Sequence, residues 1–199
     1  MALIDPDSIQ SYAYIRPCLG ERVSGDCAVV QRNQHGLWLA MVDVLGHGDE
    51  ANQLAVTIEH YLQAVKGDDV VTLMMELDQW LIGTRGAAIG LGFIANGSNQ
   101  LNYCSIGNTR LKKYGQKELR LIAQDGIVGG NTRHPRQQQL TLTVGDTVIM
   151  TTDGISERLN LLDYPPLLSE PVAAIAYQVV HRFGKDHDDA CCLAIAIAP

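Results

Sequence analysis

The sequence has five cysteines, an odd number, and no two stand at Cys-x-x-Cys spacing. That excludes a disulfide framework and a zinc knuckle, and points to reduced thiols in a cytoplasmic protein. Cations are scarce. Fifteen Lys+Arg stand against 22 Asp+Glu, a formal net charge of −7. Without a basic stripe to neutralise phosphates, no nucleic acid is expected as a partner. The same balance argues against an anionic membrane surface. The longest uncharged apolar run, Ala190–Ala198, is too short to span a bilayer as a helix. The opening MALIDPDSIQ carries two Asp and no apolar core, so it does not read as a signal peptide. The chain also lacks internal repeats, low-complexity tracts and linker-like segments. It has no Gly-Lys-Ser/Thr phosphate loop, no G-x-S-x-G and no H-E-x-x-H. What remains is an ordinary globular composition, 46% hydrophobic and 19% charged over 199 residues. One domain spanning 1–199 is expected, long enough to fold without a disulfide or structural metal.

The N-terminal third reads as strands at Tyr12–Cys18, Asp26–Gln31 and Leu37–Val44, with 32–36 as a hairpin loop. Apolar residues then recur at Ala51, Leu54, Ala55, Ile58, Leu62 and Val65, one face of a helix that Gly67 would end. A second helix is predicted from Asp69 to Ile82, stopped by Gly83, with Met74, Leu77 and Trp80 on its buried face. Strands return at Ala87–Ala95, Gln100–Ser105, Arg110–Tyr114, Leu119–Ala123, Gln139–Val144 and Thr147–Thr152. A third helix over Pro171–Phe183 would take Ser169 as N-cap and Gly184 at its C-terminus. Ala190–Ala198 is the last strand. Segregated strands and helices imply an α+β layered fold with mainly antiparallel sheets. So many strands suit two packed sheets with helices outside. Gly90-Leu-Gly92-Phe-Ile-Ala95 matches a lenient dinucleotide fingerprint, but a strand follows where a helix is required, so close packing explains it better.

Three aspartate motifs stand out. Asp43 ends an apolar strand and is followed by Gly46-His47-Gly48. Asp153 ends another and opens Asp153-Gly154-Ile155-Ser156-Glu157. Asp188-Asp189 precede the last strand. Aspartate is depleted inside strands, and a carboxylate at a buried rim is costly unless paired. Two like charges about 4 Å apart repel by roughly 4 kcal/mol at an effective dielectric near 20. If these residues converge, with Asp26 beside them, a cation must hold them, and an all-carboxylate set suits Mg²⁺ or Mn²⁺. Taken singly, Asp153-Gly154 also reads as a turn and Asp188-Asp189 as a solvated loop.

In this order, Ser24-Gly25-Asp26, Asp43 with Gly46-His47-Gly48 and Ala51, Gly107-Asn108, Gly145-Asp146, Thr152 to Glu157 and Asp188-Asp189 resemble the metal-dependent Ser/Thr protein phosphatases of type 2C (PPM). The resemblance covers the whole chain and is nearest to the short, stand-alone stressosome phosphatases. It implies a four-layer αββα sandwich with the metal site at one end of the paired sheets. It implies two Mn²⁺ or Mg²⁺ ions, with Asp43 bridging them and the Val44 carbonyl on one. Asp153 and Asp188 would ligate the other. Asp26 would hold a water or bind directly, and Asp189 would support. The catalytic set implied is Asp43, Asp153 and Asp188, with His47 as a candidate proton donor or helix cap and Arg22 as a candidate phosphate grip. Glu157 would be a local acceptor, and the substrate flap within Gly115–His134 would be short. The function implied is a cytoplasmic, monomeric phosphatase acting on phospho-Ser/Thr of stressosome proteins. A catalytically inactive docking module of the same fold and a small phosphate-ester hydrolase are the other readings.

Overall fold

A computed structural model describes Ile4, residues 8–131 and residues 134–198. Most of the opening segment on which the signal-peptide reading rested lies outside the described residues, as do Thr132 and Arg133 of the flap segment. The strands are β1 (Ile9–Arg16), β2 (Asp26–Arg32), β3 (Gly36–Val44), β4 (Ala87–Ala95), β5 (Gln100–Ile106), β6 (Arg110–Tyr114), β7 (Leu119–Leu121), β8 (Gln138–Thr141), β9 (Thr147–Thr151) and β10 (Ala190–Ile197). The helices are α1 (Asp49–Gln63), α2 (Val70–Trp80), α3 (Pro165–Leu168) and α4 (Val172–Phe183). Two five-stranded sheets result, ordered β1-β10-β9-β6-β7 and β2-β3-β4-β5-β8, with every ladder antiparallel. This is the expected αββα sandwich.

The apolar strands explain the four layers. Antiparallel sheets usually keep one face wet and alternate in polarity. Here β3 and β10 are almost wholly buried, so both faces must be covered. Leu37, Leu39 and Met41 point between the sheets with Cys191, Leu193 and Ile195. Trp38, Ala40 and Val42 point the other way, onto Ala55, Ile58 and Leu77 of α1 and α2. Cys192 and Ala194 face Ile175 and Val179 of α4. All five cysteines are buried and free. No helix among the described residues is long and apolar enough to cross a membrane.

Gly90 confirms close packing over a nucleotide site. A Cβ there would stand 2.7 Å from the Tyr103 hydroxyl and 2.9 Å from Thr109 Oγ1.

Several boundaries differ from expectation. β1 begins at Ile9, three residues early, because its register with β10 runs to Ile197. The first helix ends at Gln63, capped through Ala64 rather than stopped by Gly67. Trp80 lies on the open face of α2, stacked on Tyr61, not in the core. Ser169 caps the C-terminus of the unexpected short helix α3, so Pro171 fills the N-cap of α4. Pro165-Pro166 open α3, since proline is tolerated in a first helical turn. Gly184 is extended, with φ −70°, because its chain turns directly toward β10.

Candidate metal centre

The two sheets bring their carboxylates to one end of the sandwich. Asp26 on β2 and Asp43 on β3 are directly opposed in register. Like charges in that position destabilise an antiparallel pair. Asp153 follows the end of β9 and Asp188 precedes β10, adjacent strands of the other sheet. Asp43, Asp153 and Asp188 line a common cleft of about 480 Å³, together with Leu45, Gly46 and Asn108.

Each carboxylate is placed by its own contacts. Asp26 is 4% exposed and accepts from Thr152 Oγ1 at 2.7 Å, a hydrogen bond between the sheets. Thr152 Oγ1 in turn accepts from the Cys191 N–H at 3.0 Å. Asp153 accepts from Asn108 Nδ2 at 2.6 Å, and its carbonyl accepts from Lys185 Nζ at 2.6 Å. Gly154 lets the turn after Asp153 press against β10, since a Cβ there would meet the Asp189 carbonyl at 1.7 Å.

The electrostatics show the strain of this convergence. Burial, then Asp153 and Asp188, push the Asp43 carboxyl up to about 7. Burial, followed by Asp43, raises Asp26 well above the ordinary carboxylate range. Asp188 is raised by burial and by Asp153. Asp43 interacts with both the backbone and side chain of Asp153, and Asp188 with its side chain. An all-oxygen set of this kind fits a hard divalent cation and offers nothing to a soft one. Among the described residues no three His, Cys, Asp or Glu side chains form a ready-made cage for an ion, and a divalent ion such as Mg²⁺ usually takes one or two carboxylates and completes its shell with water.

The remaining candidates sit elsewhere. Asp189 is 3% exposed, and both its oxygens are committed: Oδ1 accepts from the Cys18 N–H and Oδ2 from the Gly25 N–H, each at 2.7 Å. It ties the loop before β2 to the start of β10. The Val44 N–H donates to the Gly25 carbonyl at 3.1 Å, which fixes the peptide following Asp43. His47 is exposed and pairs with Glu21 at 2.9 Å, outside the cleft lining. Arg22 is exposed on the loop before β2 and has no hydrogen-bond or ion-pair partner among the described residues. Glu157 accepts from Arg110 at 3.0 Å. Two residues escaped the sequence reading. Asp125 lines the cleft, and it too follows a strand and precedes a glycine, as Asp153 does. Lys185, which braces Asp153, carried no signal.

The family model for stage II sporulation protein E (SpoIIE) matches residues 33–198. The chain is similar to the phosphoserine phosphatase RsbX of Bacillus subtilis, 25% identical over 152 residues, which are 75% of this chain and 76% of that one. Among solved structures it superimposes on RsbX in complex with magnesium with a TM-score of 0.81 at 23% identity, over 96% of each chain. A protein from a bacterial stressosome system that controls secondary-messenger signalling gives 0.86 at 23% identity, over 94% of this chain and 98% of that one. The PP2C phosphatase domain of SpoIIE from Bacillus subtilis gives 0.72 at 18%, over 95% and 63%. At these identities the structural matches establish the shared fold.

Proposed function

The chain belongs to the SpoIIE family, and we infer from its carboxylate cleft that it removes phosphate from phosphoserine and phosphothreonine of stressosome-type regulatory proteins with the help of Mn²⁺ or Mg²⁺. It is a protein phosphatase of the PP2C type. The observation that carries the finer reading is the convergence of Asp43, Asp153 and Asp188 from two sheets on one cleft. We read the chain as a single domain, 1–199, acting as a cytoplasmic monomer. Five free thiols fit that compartment.

Asp43, Asp153 and Asp188 would hold two ions, with the Val44 carbonyl as a further oxygen donor and Asp26 behind Asp43. Once bound, divalent cations supply Lewis acidity, lowering the pKa of water and neutralising charge on the phosphoryl oxygens. The protein contributes position. Asn108 and Lys185 hold Asp153 from its side chain and its backbone. Thr152 holds Asp26, a hydrogen bond that links the rims of the two sheets. Asp189 locks the loop beneath them. A cleft of about 480 Å³ admits a phosphorylated side chain with its backbone left at the rim. Its lining contains no cysteine or serine to act as nucleophile, which fits direct attack by water.

The test is release of phosphate from a phosphoserine peptide with Mn²⁺. Chelation should abolish it, and Asp153→Asn should lower kcat by at least about 100-fold, the scale of losing one preorganised electrostatic contact. Full activity of Asp153→Asn would refute this centre.

A further inference from the structure

β6 and β7 form one edge of their sheet, and three cations share its outer face. Arg110 and Lys112 stand two residues apart on β6, and Lys112 is registered directly opposite Arg120 on β7. Like charges so placed cost stability, and here they gather in a chain that is acidic overall. All three line a narrow slot with Ser156, Glu157 and Leu159. The local acceptors are mostly neutral. Arg110 donates to the Ile155 carbonyl at 2.8 Å and pairs with exposed Glu157 at 3.0 Å. Lys112 donates to the Leu159 carbonyl at 2.7 Å. Arg120 is exposed, and its side chain has no hydrogen-bond or ion-pair partner among the described residues. Burial holds Lys112 below the usual lysine range; Glu118 is the strongest charge opposing this, Arg120 and Arg110 add to it, and Asp163 opposes it more weakly.

The slot adjoins the carboxylate cleft. Asn108 lines the cleft and Arg110 lines the slot, two residues further along. Asp153 lines the cleft and Glu157 the slot, four residues further along the segment that follows β9. At about 3.3 Å per extended residue, the step from Asn108 to Arg110 spans no more than about 7 Å of backbone, so the slot begins within reach of residues flanking a phosphate seated in the cleft.

We propose that Arg110, Lys112 and Arg120 form a docking subsite for negatively charged side chains flanking the target phosphoserine or phosphothreonine of a phosphoprotein. The inference rests on the phosphatase reading and deepens it by naming the substrate class. The slot volume of about 20 Å³ holds little more than one water, so the anion lies across its mouth and meets the tips of the cations. A carboxylate and a second phosphate share the chemistry required.

Three fluorescein-labelled phosphoserine peptides test it: one with alanine flanks, one with aspartate flanks and one with a second phosphoserine. Binding to the full chain is read by polarisation in chelator at low salt, and turnover is read separately with Mn²⁺. One or both acidic peptides should bind about 5-fold tighter than the alanine peptide, the size of one or two exposed charge pairs. About 1 M salt should erase the preference. Arg120→Glu should abolish it and Arg120→Lys should keep it, both variants melting as the wild type does. Equal binding of all three peptides, or a preference that survives Arg120→Glu, overturns the proposal. No phosphate release from any peptide, with the binding preference intact, would end the phosphatase reading and leave the anion subsite standing.

Discussion

Asp43 concentrates the chemistry of this protein in one side chain. Its register partner is Asp26 and its near neighbours are Asp153 and Asp188, so folding without a cation forces like charges together. The consequence for stability has a definite sign. The Asp43 carboxyl titrates at about 7 in the folded chain against an ordinary 3.8. Between those values the unfolded chain has lost its proton and the folded chain has kept it, so stability falls as pH rises. Asp26 and Asp188, also raised, act in the same direction. In chelator, the melting temperature should therefore drop between about pH 4.5 and 7.5, and Asp43→Asn should flatten that slope. Calorimetry across the range checks it, and a wild-type melting temperature that rises with pH would refute it. At this scale the sequence was most legible where a carboxylate interrupted an apolar strand. Asp189 shows the limit of that signal. It neighbours Asp188 and looks identical in sequence, but its oxygens face two backbone N–H groups and not the cleft.

Strands β9 and β10 do for the site what no single residue can. Their pairing sets Asp153 and Asp188 side by side, and Gly154 permits the close approach at their ends. Gly154→Ala would drive a methyl into the Asp189 carbonyl, which backbone can relieve only by shifting. Overpacking of this kind costs about 1–3 kcal/mol. Urea denaturation should show that loss, and unchanged stability would mean that the turn is softer than its contacts suggest. Long apolar strands and the three longer helices α1, α2 and α4 announced themselves by their periodicity. The short α3 did not, because four residues complete barely one turn and leave no repeat to read. Its presence moved Ser169 from the start of one helix to the end of another.

For the whole molecule, cation binding and folding are linked. An ion that binds only the folded chain stabilises it by about 2.7 kcal/mol when present at 100 times its dissociation constant. For a domain of this size that corresponds to a rise of roughly 5–10 °C in melting temperature. Mn²⁺ should produce such a rise and chelator should reverse it. The gain should grow from pH 6 to pH 8 as protons leave the carboxylates. The absence of any shift at millimolar Mn²⁺ would separate this chain from a metal-dependent mechanism. Two bound ions would also offset about four of the seven surplus negative charges.

Local chemistry, which is a property of neighbours along the chain, was readable from the amino acids alone. It includes which segments are strands, which three helices have one apolar face, and which aspartates sit at strand ends beside glycine. The element pattern already suited two packed sheets with helices outside, and the family resemblance added the order of the motifs and the end of the sandwich at which they would meet. Proximity across the chain had to wait for folding. The Asp26–Thr152 hydrogen bond spans 126 residues, and Lys112 meets Arg120 only through a ladder. Folding brings these like charges together because packing of the strands that carry them outweighs a repulsion that the loss of water strengthens.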